Sequence, residues 1–369
     1  MERTVLHETA QLGQSIWLDT ISRDLLLTKG LDVWIEKGVL GVTTNPAIFE
    51  QAIAKTTDYD EEIRKLAKEG KSVAGIYETL TLQEVRAAAD ILRPVYDKTG
   101  VDGYVSLEVN PLLASDVEST VSEAERLFKA LERPNVMIKI PATSEGIEAV
   151  EDCIAKGINV NATLIFSTGQ YSSVAEACLR GLERRARTNE PLDVASVASV
   201  FVSRIDSAVD ALLEQKNDCE FAELKGRIGV DNARIAYQRY RKIFDPANAR
   251  WKALADRGAR TQRLLWASTG TKNPAYSDVL YIENLIGPNT VNTIPPRTLS
   301  AFLDHGKAAL TLENDLAEAQ ARRDLLSAAG IDLDDVGLKL QQDGVAAFNT
   351  AFDVLLKGIG DKANKTPVQ

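Results

Sequence analysis

A closed (β/α)8 barrel, a parallel sheet wrapped by helices with further helices inserted and appended, is the fold class that this 369-residue chain predicts. Three observations predict it. Short apolar runs alternate with longer stretches of helical periodicity, the pattern of parallel strands joined by crossover helices. Eight such runs can be read along the chain. No Gly-x-Gly-x-x-Gly turn follows the first of them, which favours a closed barrel over a doubly wound, dinucleotide-binding sheet.

The predicted strands are, in order, Ser15–Asp19, Val39–Asn45, Tyr104–Val109, Val136–Ile140, Ile158–Phe166, Val197–Val202, Arg263–Ser268 and Thr290–Ile294. One strand–helix unit can be read in full. After Ile140 come the capping candidates Thr143 and Ser144, then Ile147, Val150 and Ile154 at helical spacing, then Gly157 as a stop. Gly70-Lys71-Ser72 resembles the end of a phosphate loop, but no glycine stands five positions earlier and no strand leads into it, so it reads as a helix-ending turn. Residues 214–260 read as a helical insertion between strands six and seven, with Tyr237, Tyr240, Phe244 and Trp251 as packing residues. Residues 303–369 read as C-terminal helices broken at Ala328-Ala329-Gly330, and Lys362 to Gln369 as a frayed end. The whole, residues 1–369, is expected to be a single domain.

Composition narrows the function. With 44% hydrophobic and 26% charged residues the chain is ordinary for a globular protein, and its net charge of -10 with no basic stripe argues against a nucleic-acid partner. Cys153, Cys178 and Cys219 are far apart and form no Cys-x-x-Cys pair, which fits a reducing compartment. Met1 to Gln14 mixes charges with polar residues, and no run of about 18 apolar residues occurs, so a membrane partner is not expected and the location expected is cytoplasmic. The two histidines, His7 and His305, give a His triad or His-rich metal site little material, and His305 reads as a helix-end or loop residue. No metal is expected.

Side chains two apart on a strand share a face. Asn159, Asn161 and Thr163 oppose Ile158, Val160, Ala162 and Leu164; Ser106, Glu108 and Asn110 oppose Val105, Leu107 and Val109. The same parity puts Met137 with Lys139, Ser199 with Phe201 and Ser203, Trp266 with Ser268, and Trp17 with Asp19. Helices cover a barrel from outside, so the apolar faces should point outward and the polar faces inward. A buried polar group left unbonded costs about 1–3 kcal/mol, so this many inward polar residues require a site, which barrels place at the strand C-termini. Exposed edge strands of an antiparallel sheet would be the alternative.

Lys139 stands out among them. Desolvation between Met137, Ile138 and Ile140 should lower its pKa, and a neutral amine can attack a ketose carbonyl, lose water and leave an iminium that withdraws electrons from a breaking carbon–carbon bond. Taken alone, the residue could equally be a snorkelling lysine or one paired with Glu108. A Schiff-base cycle also needs proton carriers, and Asp19 and Glu108 sit at strand ends pointing inward by parity. Thr163 can hold a water against Glu108, while Asn45, Asn161 and Ser199 can bond sugar hydroxyls. Arg204, Ser268 and Lys272 lie at or just beyond the ends of strands six and seven, where barrels commonly bind phosphate.

Several motifs in fixed order carry a family resemblance: Trp17-Leu18-Asp19-Thr20, Thr43-Thr44-Asn45-Pro46, Ser106-Leu107-Glu108-Val109, Ile138-Lys139-Ile140-Pro141-Ala142-Thr143, Asn159-Val160-Asn161-Ala162-Thr163, Val200-Phe201-Val202-Ser203-Arg204 and Leu265-Trp266-Ala267-Ser268-Thr269. From about Ser15 to Gly306 the chain resembles the transaldolases. The resemblance implies transfer of dihydroxyacetone from sedoheptulose 7-phosphate to glyceraldehyde 3-phosphate, with no metal or organic cofactor, in a monomer or homodimer whose partners are phosphorylated sugars. It implies that Lys139 forms the Schiff base, that Asp19 is the acid/base for cleavage and that Glu108 works through a water held by Thr163. By the same resemblance Asn45, Asn161 and Ser199 bind hydroxyls, Phe201 lines the substrate site, and Arg204 with Ser268 binds phosphate. One position departs: the better-known transaldolases carry an arginine where this chain has Gly270, and Lys272 is the substitute cation expected. Fructose-6-phosphate aldolases, the nearest rival reading, tend to carry glutamine at position 108 and tyrosine at position 201; this chain keeps Glu108 and Phe201. A barrel that binds phosphosugars without catalysis is the rival of another class.

Overall fold

The computed structural model describes residues 3–216 and 219–364. Its eight parallel strands are β1 (Gln14–Leu18), β2 (Val42–Thr43), β3 (Val105–Glu108), β4 (Val136–Pro141), β5 (Val160–Ile165), β6 (Ser196–Phe201), β7 (Arg263–Ala267) and β8 (Thr290–Ile294). Each pairs with the next, and β1 closes the ring on β8 from Gln14↔Thr290 to Leu18↔Ile294. The chain is therefore a (β/α)8 barrel. All eight predicted strands exist, the second much shorter than its apolar run, because the chain leaves the sheet at Thr44 to start a helix capped by Asn45.

The strand–helix unit after β4 shows the local logic. The Thr143 hydroxyl accepts from Gly146 N at 2.9 Å, satisfying one of the unpaired amides that every helix start carries, and the helix Ser144–Ala155 follows. Gly157 then turns the chain at φ 84°, a conformation that a residue with a Cβ adopts poorly. Gly70 likewise ends a helix at φ 83°, and Ser72 caps the next one, as expected of a turn. Between β6 and β7 stand the helices Ser203–Lys216, Ile228–Ile243 and Ala249–Ala255, and the four aromatics expected to pack there are all buried. Tyr237, Tyr240, Phe244 and Trp251 form a chain of ring contacts 5.0–5.7 Å apart. His305 ends the helix Pro296–His305 beside Asp278 and Asp304. Cys153 and Cys178 are buried free thiols; the side chain of Cys219 lies outside the described residues. Among the described residues no helix is long and apolar enough to cross a membrane.

Three expectations are corrected. Lys362 is not frayed: the last helix, Leu333–Ala363, carries it inward, where its ammonium bonds Thr56 O and, at 2.6 Å, Asp60. Residues 365–369 of that expected frayed end lie outside the described residues. Trp266 points outward, its indole donating to Leu285 O at 3.0 Å, while Leu265 and Ala267 face inward. Ser268 still reaches the barrel mouth, because its own φ of 55° breaks the two-residue alternation just past β7. Leu164 does not share the outward face of Val160 and Ala162. Its φ of 60° and a register shift between Ala162 and Ile165 turn it toward the last helix, where its methyl carbon stands 2.9 Å from the position of a Cβ on Gly344.

Elsewhere the parity holds and sorts the barrel interior by height. Trp17, Met137, Val197, Leu265 and Val291 fill the lower interior with apolar bulk. Toward the strand C-termini the inward positions become Thr43, Glu108, Lys139, Asn161, Thr163, Ser199 and Thr293. Neighbouring members come together through the register pairs Glu108↔Lys139, Lys139↔Asn161 and Pro141↔Thr163.

Candidate active site

The polar upper interior opens into a cavity of about 180 Å³, walled among others by Asp19, Asn45, Lys139, Thr163, Ser199, Arg204, Ser268 and Lys272. Lys139 is 5% exposed, and its ammonium donates to Thr44 O at 3.0 Å. The parallel register sets Glu108 directly beside it, with Nζ 3.3 Å from Oε2. That approach lacks hydrogen-bond geometry, and neither carboxylate oxygen of Glu108 has a protein hydrogen-bond partner; the buried Thr163 hydroxyl has none either. Unbonded buried oxygens of this kind are rare in proteins and mark places where a ligand or water belongs.

Burial pushes the Glu108 carboxyl up to about 7, against the pull of Lys139 and with a further push from Asp19. Asp19, one residue past β1, is half-buried and accepts from the Thr43 hydroxyl at 2.8 Å. Its pKa is raised by burial, opposed by the charge of Lys139, the Thr43 hydrogen bond and the charge of Lys272. Two carboxyls near one amine are thus held in different environments, the arrangement that separates acid from base roles.

On the far wall, the Arg204 guanidinium carbon lies 5.4 Å from the centre of the Phe201 ring. Burial alone lowers its pKa, with no carboxylate among the described residues opposing it, yet a guanidinium stays charged. The Ser268 hydroxyl meets that of Ser203 at 3.0 Å. Lys272 is exposed at the rim. Gly270 is buried, and a Cβ there would stand 3.1 Å from the Thr298 hydroxyl, so a larger side chain at that position would crowd the wall that Lys272 leaves open.

Most sequence-predicted site residues therefore border one cavity. Asn45 does so with its amide oxygen already committed to Ile48 N at 3.0 Å, which leaves its NH2 group for a ligand. Glu108 is set apart, lining a neighbouring cavity with Tyr77, Asn110 and Phe352, and so is Asn161. The latter is fully buried inside the barrel, donating one amide hydrogen to Ser106 at 3.0 Å and accepting from Ser199 at 2.6 Å, which orients Ser199. Sequence reasoning missed Thr293, whose hydroxyl bonds that of Thr43, and Phe348, which reaches the cavity from the last helix. Parity along β8 could have found Thr293, two residues above Val291. The signal for Phe348 lies in the spacing of Gln341, Gly344, Phe348, Phe352, Leu355 and Ile359, one continuous helical face.

Comparison with known proteins agrees with this geometry. Residues 16–359 match the family described as transaldolase/fructose-6-phosphate aldolase. The chain belongs to that family. Its relatives include proteins named transaldolase from Trichodesmium erythraeum, 46% identical with 98% of this chain and 99% of the relative covered, and from Thiobacillus denitrificans, 46% identical over 96% and 99%. A transaldolase of Saccharopolyspora erythraea is 46% identical over 98% of each chain. The family's span covers the barrel and nearly all of the last helix, so the segment that carries Phe348 is part of what the chain shares with it.

Proposed function

We propose that this chain is a transaldolase, moving a three-carbon dihydroxyacetone unit from sedoheptulose 7-phosphate to glyceraldehyde 3-phosphate through a Schiff base on Lys139. The single observation that carries the reading is the buried Lys139–Glu108 pair at the barrel mouth, with Asp19 across from it and a carboxylate that lacks hydrogen bonds. A pair built for stability would have its lone pairs filled.

The steps follow from these groups. Glu108, titrating near neutrality, can take the proton of the Lys139 amine and return it. Nζ attacks the ketose carbonyl carbon, and the carbinolamine loses water as Glu108 supplies the proton, with the Thr163 hydroxyl positioning that water. The iminium is then an electron sink. Asp19 removes the proton of the C4 hydroxyl, the C3–C4 bond breaks toward the iminium, and erythrose 4-phosphate leaves an enamine on Lys139. Adding that enamine carbon to the aldehyde of glyceraldehyde 3-phosphate, with Asp19 returning the proton, gives fructose 6-phosphate after hydrolysis. Ser199 and the free amide edge of Asn45 bond sugar hydroxyls, and Arg204, Ser268 and Lys272 hold the phosphate.

Borohydride reduction in the presence of fructose 6-phosphate tests the reading. It should add a reduced three-carbon unit to the Lys139 peptide and to no other. Erythrose 4-phosphate should form from sedoheptulose 7-phosphate only when glyceraldehyde 3-phosphate is present. Turnover independent of the acceptor would instead indicate a fructose-6-phosphate aldolase, and an unmodified Lys139 a barrel that only binds.

A further inference from the structure

The last helix has a role at the cavity that strand parity cannot assign. Gln341 donates its amide to Ala142 O, one residue past β4, at 2.6 Å and to Leu164 O, near the end of β5, at 3.0 Å. Gly344 follows on the same face, close enough to Leu164 that a Cβ would stand 2.9 Å from its methyl. One turn later Phe348 lies 5% exposed, lining the cavity with its ring centre 5.7 Å from Lys139 Nζ. Phe352 continues the face with an edge contact to Tyr77 at 5.2 Å, and Lys362 anchors the far end on Asp60. The helix is thus tied at both ends of the stretch that places an aromatic ring over the nucleophile.

We propose that Phe348 determines how the three-carbon intermediate on Lys139 is divided between the acceptor sugar and water. The inference rests on the transaldolase reading and deepens it. On the transfer branch the enamine carbon bonds to the acceptor's aldehyde carbon, and the aldehyde oxygen takes a proton. On the release branch the same carbon takes the proton, water adds to the resulting iminium carbon, and the C–N bond breaks with its electron pair returning to Nζ. Free dihydroxyacetone then departs. An apolar ring beside the enamine keeps bulk water, the proton source of the release branch, away from that carbon, while the single water positioned by Thr163 still hydrolyses the iminium on either branch. Gln341 is a positioning residue for this ring, since it fixes where along the rim the helix sits.

The ratio of free dihydroxyacetone released to units transferred, measured with sedoheptulose 7-phosphate and glyceraldehyde 3-phosphate, reads the division directly. Phe348→Leu should raise that ratio at least roughly tenfold, the scale on which an apolar contact changes discrimination, whereas Phe348→Tyr should keep it near wild type. Gln341→Ala should raise it as well, although Gln341 does not reach the cavity. A wild type that transfers, together with Phe348→Leu and Gln341→Ala variants that lose both rates in step at an unchanged ratio, overturns this inference and leaves the transaldolase reading standing. Acceptor-independent release by the wild type overturns both.

Discussion

The two ends of the barrel each bury a carboxylate against a cation, and they treat it in opposite ways. At the lower end Asp102 is filled: Oδ2 accepts from Ser15 at 2.8 Å, and Oδ1 from Trp17 Nε1 at 3.2 Å and from Arg263 at 2.9 Å. The same guanidinium also bonds Ser15 and Val101 O, so a strand-one hydroxyl, a strand-seven cation and the loop before β3 form one closed network. At the upper end Glu108 and Lys139 are buried as well, yet the carboxylate has only the poorly aligned 3.3 Å approach of Nζ and no well-formed hydrogen bond. A satisfied buried network holds its elements in place, while an unsatisfied one costs stability and leaves its atoms free to bond something else. Burial of charge does not by itself mark a site; the state of the lone pairs does.

Lys139→Ala gives the largest expected effect. Transfer should fall to background in protein that still folds, with at most a modest loss of thermal midpoint, because truncation relieves one desolvated charge and leaves the Glu108 carboxyl to bind a proton in place of its partner. Calorimetry beside a transfer assay checks both, and retained turnover sinks the mechanism.

The two carboxylates can then be set against each other. Glu108→Gln should lower kcat by on the order of 10²–10⁴-fold, the usual worth of a general acid–base group. Its effect on folding has a sign fixed by titration. The carboxyl ordinarily titrates at 4.5 and here at about 7, so the folded state favours the protonated form. That contribution is complete below the ordinary value and is lost as pH rises through 7; near pH 8 the glutamine variant should therefore be more stable than wild type, by about 1–3 kcal/mol. Denaturant titrations at pH 5 and pH 8 should show the gain only at the higher pH. Equal stability at both would contradict the raised carboxyl. Asp102→Ala should behave in the reverse manner, losing about 3 kcal/mol of stability, as expected when one partner of a buried pair is removed, with transfer per folded molecule unchanged. If Asp102→Ala abolished transfer in folded protein, the division between the two ends would fail.

Lys272→Ala is the smallest of these effects. An exposed cation without the guanidinium fork should raise KM for phosphorylated substrates about tenfold or less and leave kcat near wild type, since it acts on ground and transition states alike. Lys272→Arg should recover the affinity. A loss confined to kcat would remove Lys272 from the phosphate wall.

The local pattern of residues was enough for much of this. Alternation along short apolar runs located all eight strands and pointed Asp19, Glu108, Lys139, Thr163 and Ser199 inward, because a period of two is a property of extended backbone and needs no partner. The pattern failed wherever backbone or partner intervened. Positive φ at Leu164 and Ser268 reverses the alternation, and nothing in their neighbours announces it. The partners of Asn161, Ser106 and Ser199, are likewise not announced by its neighbours in sequence.

What the sequence determined by itself was the ring of strands and the choice of a lysine flanked by two carboxylates, since both follow from residue type and spacing. Only the tertiary structure decided which buried charges are filled and which ring stands over the amine. Those depend on contacts such as Asp102 with Arg263 and Phe348 with Lys139, whose partners lie far apart along the chain and meet only when the barrel closes and the last helix crosses its mouth.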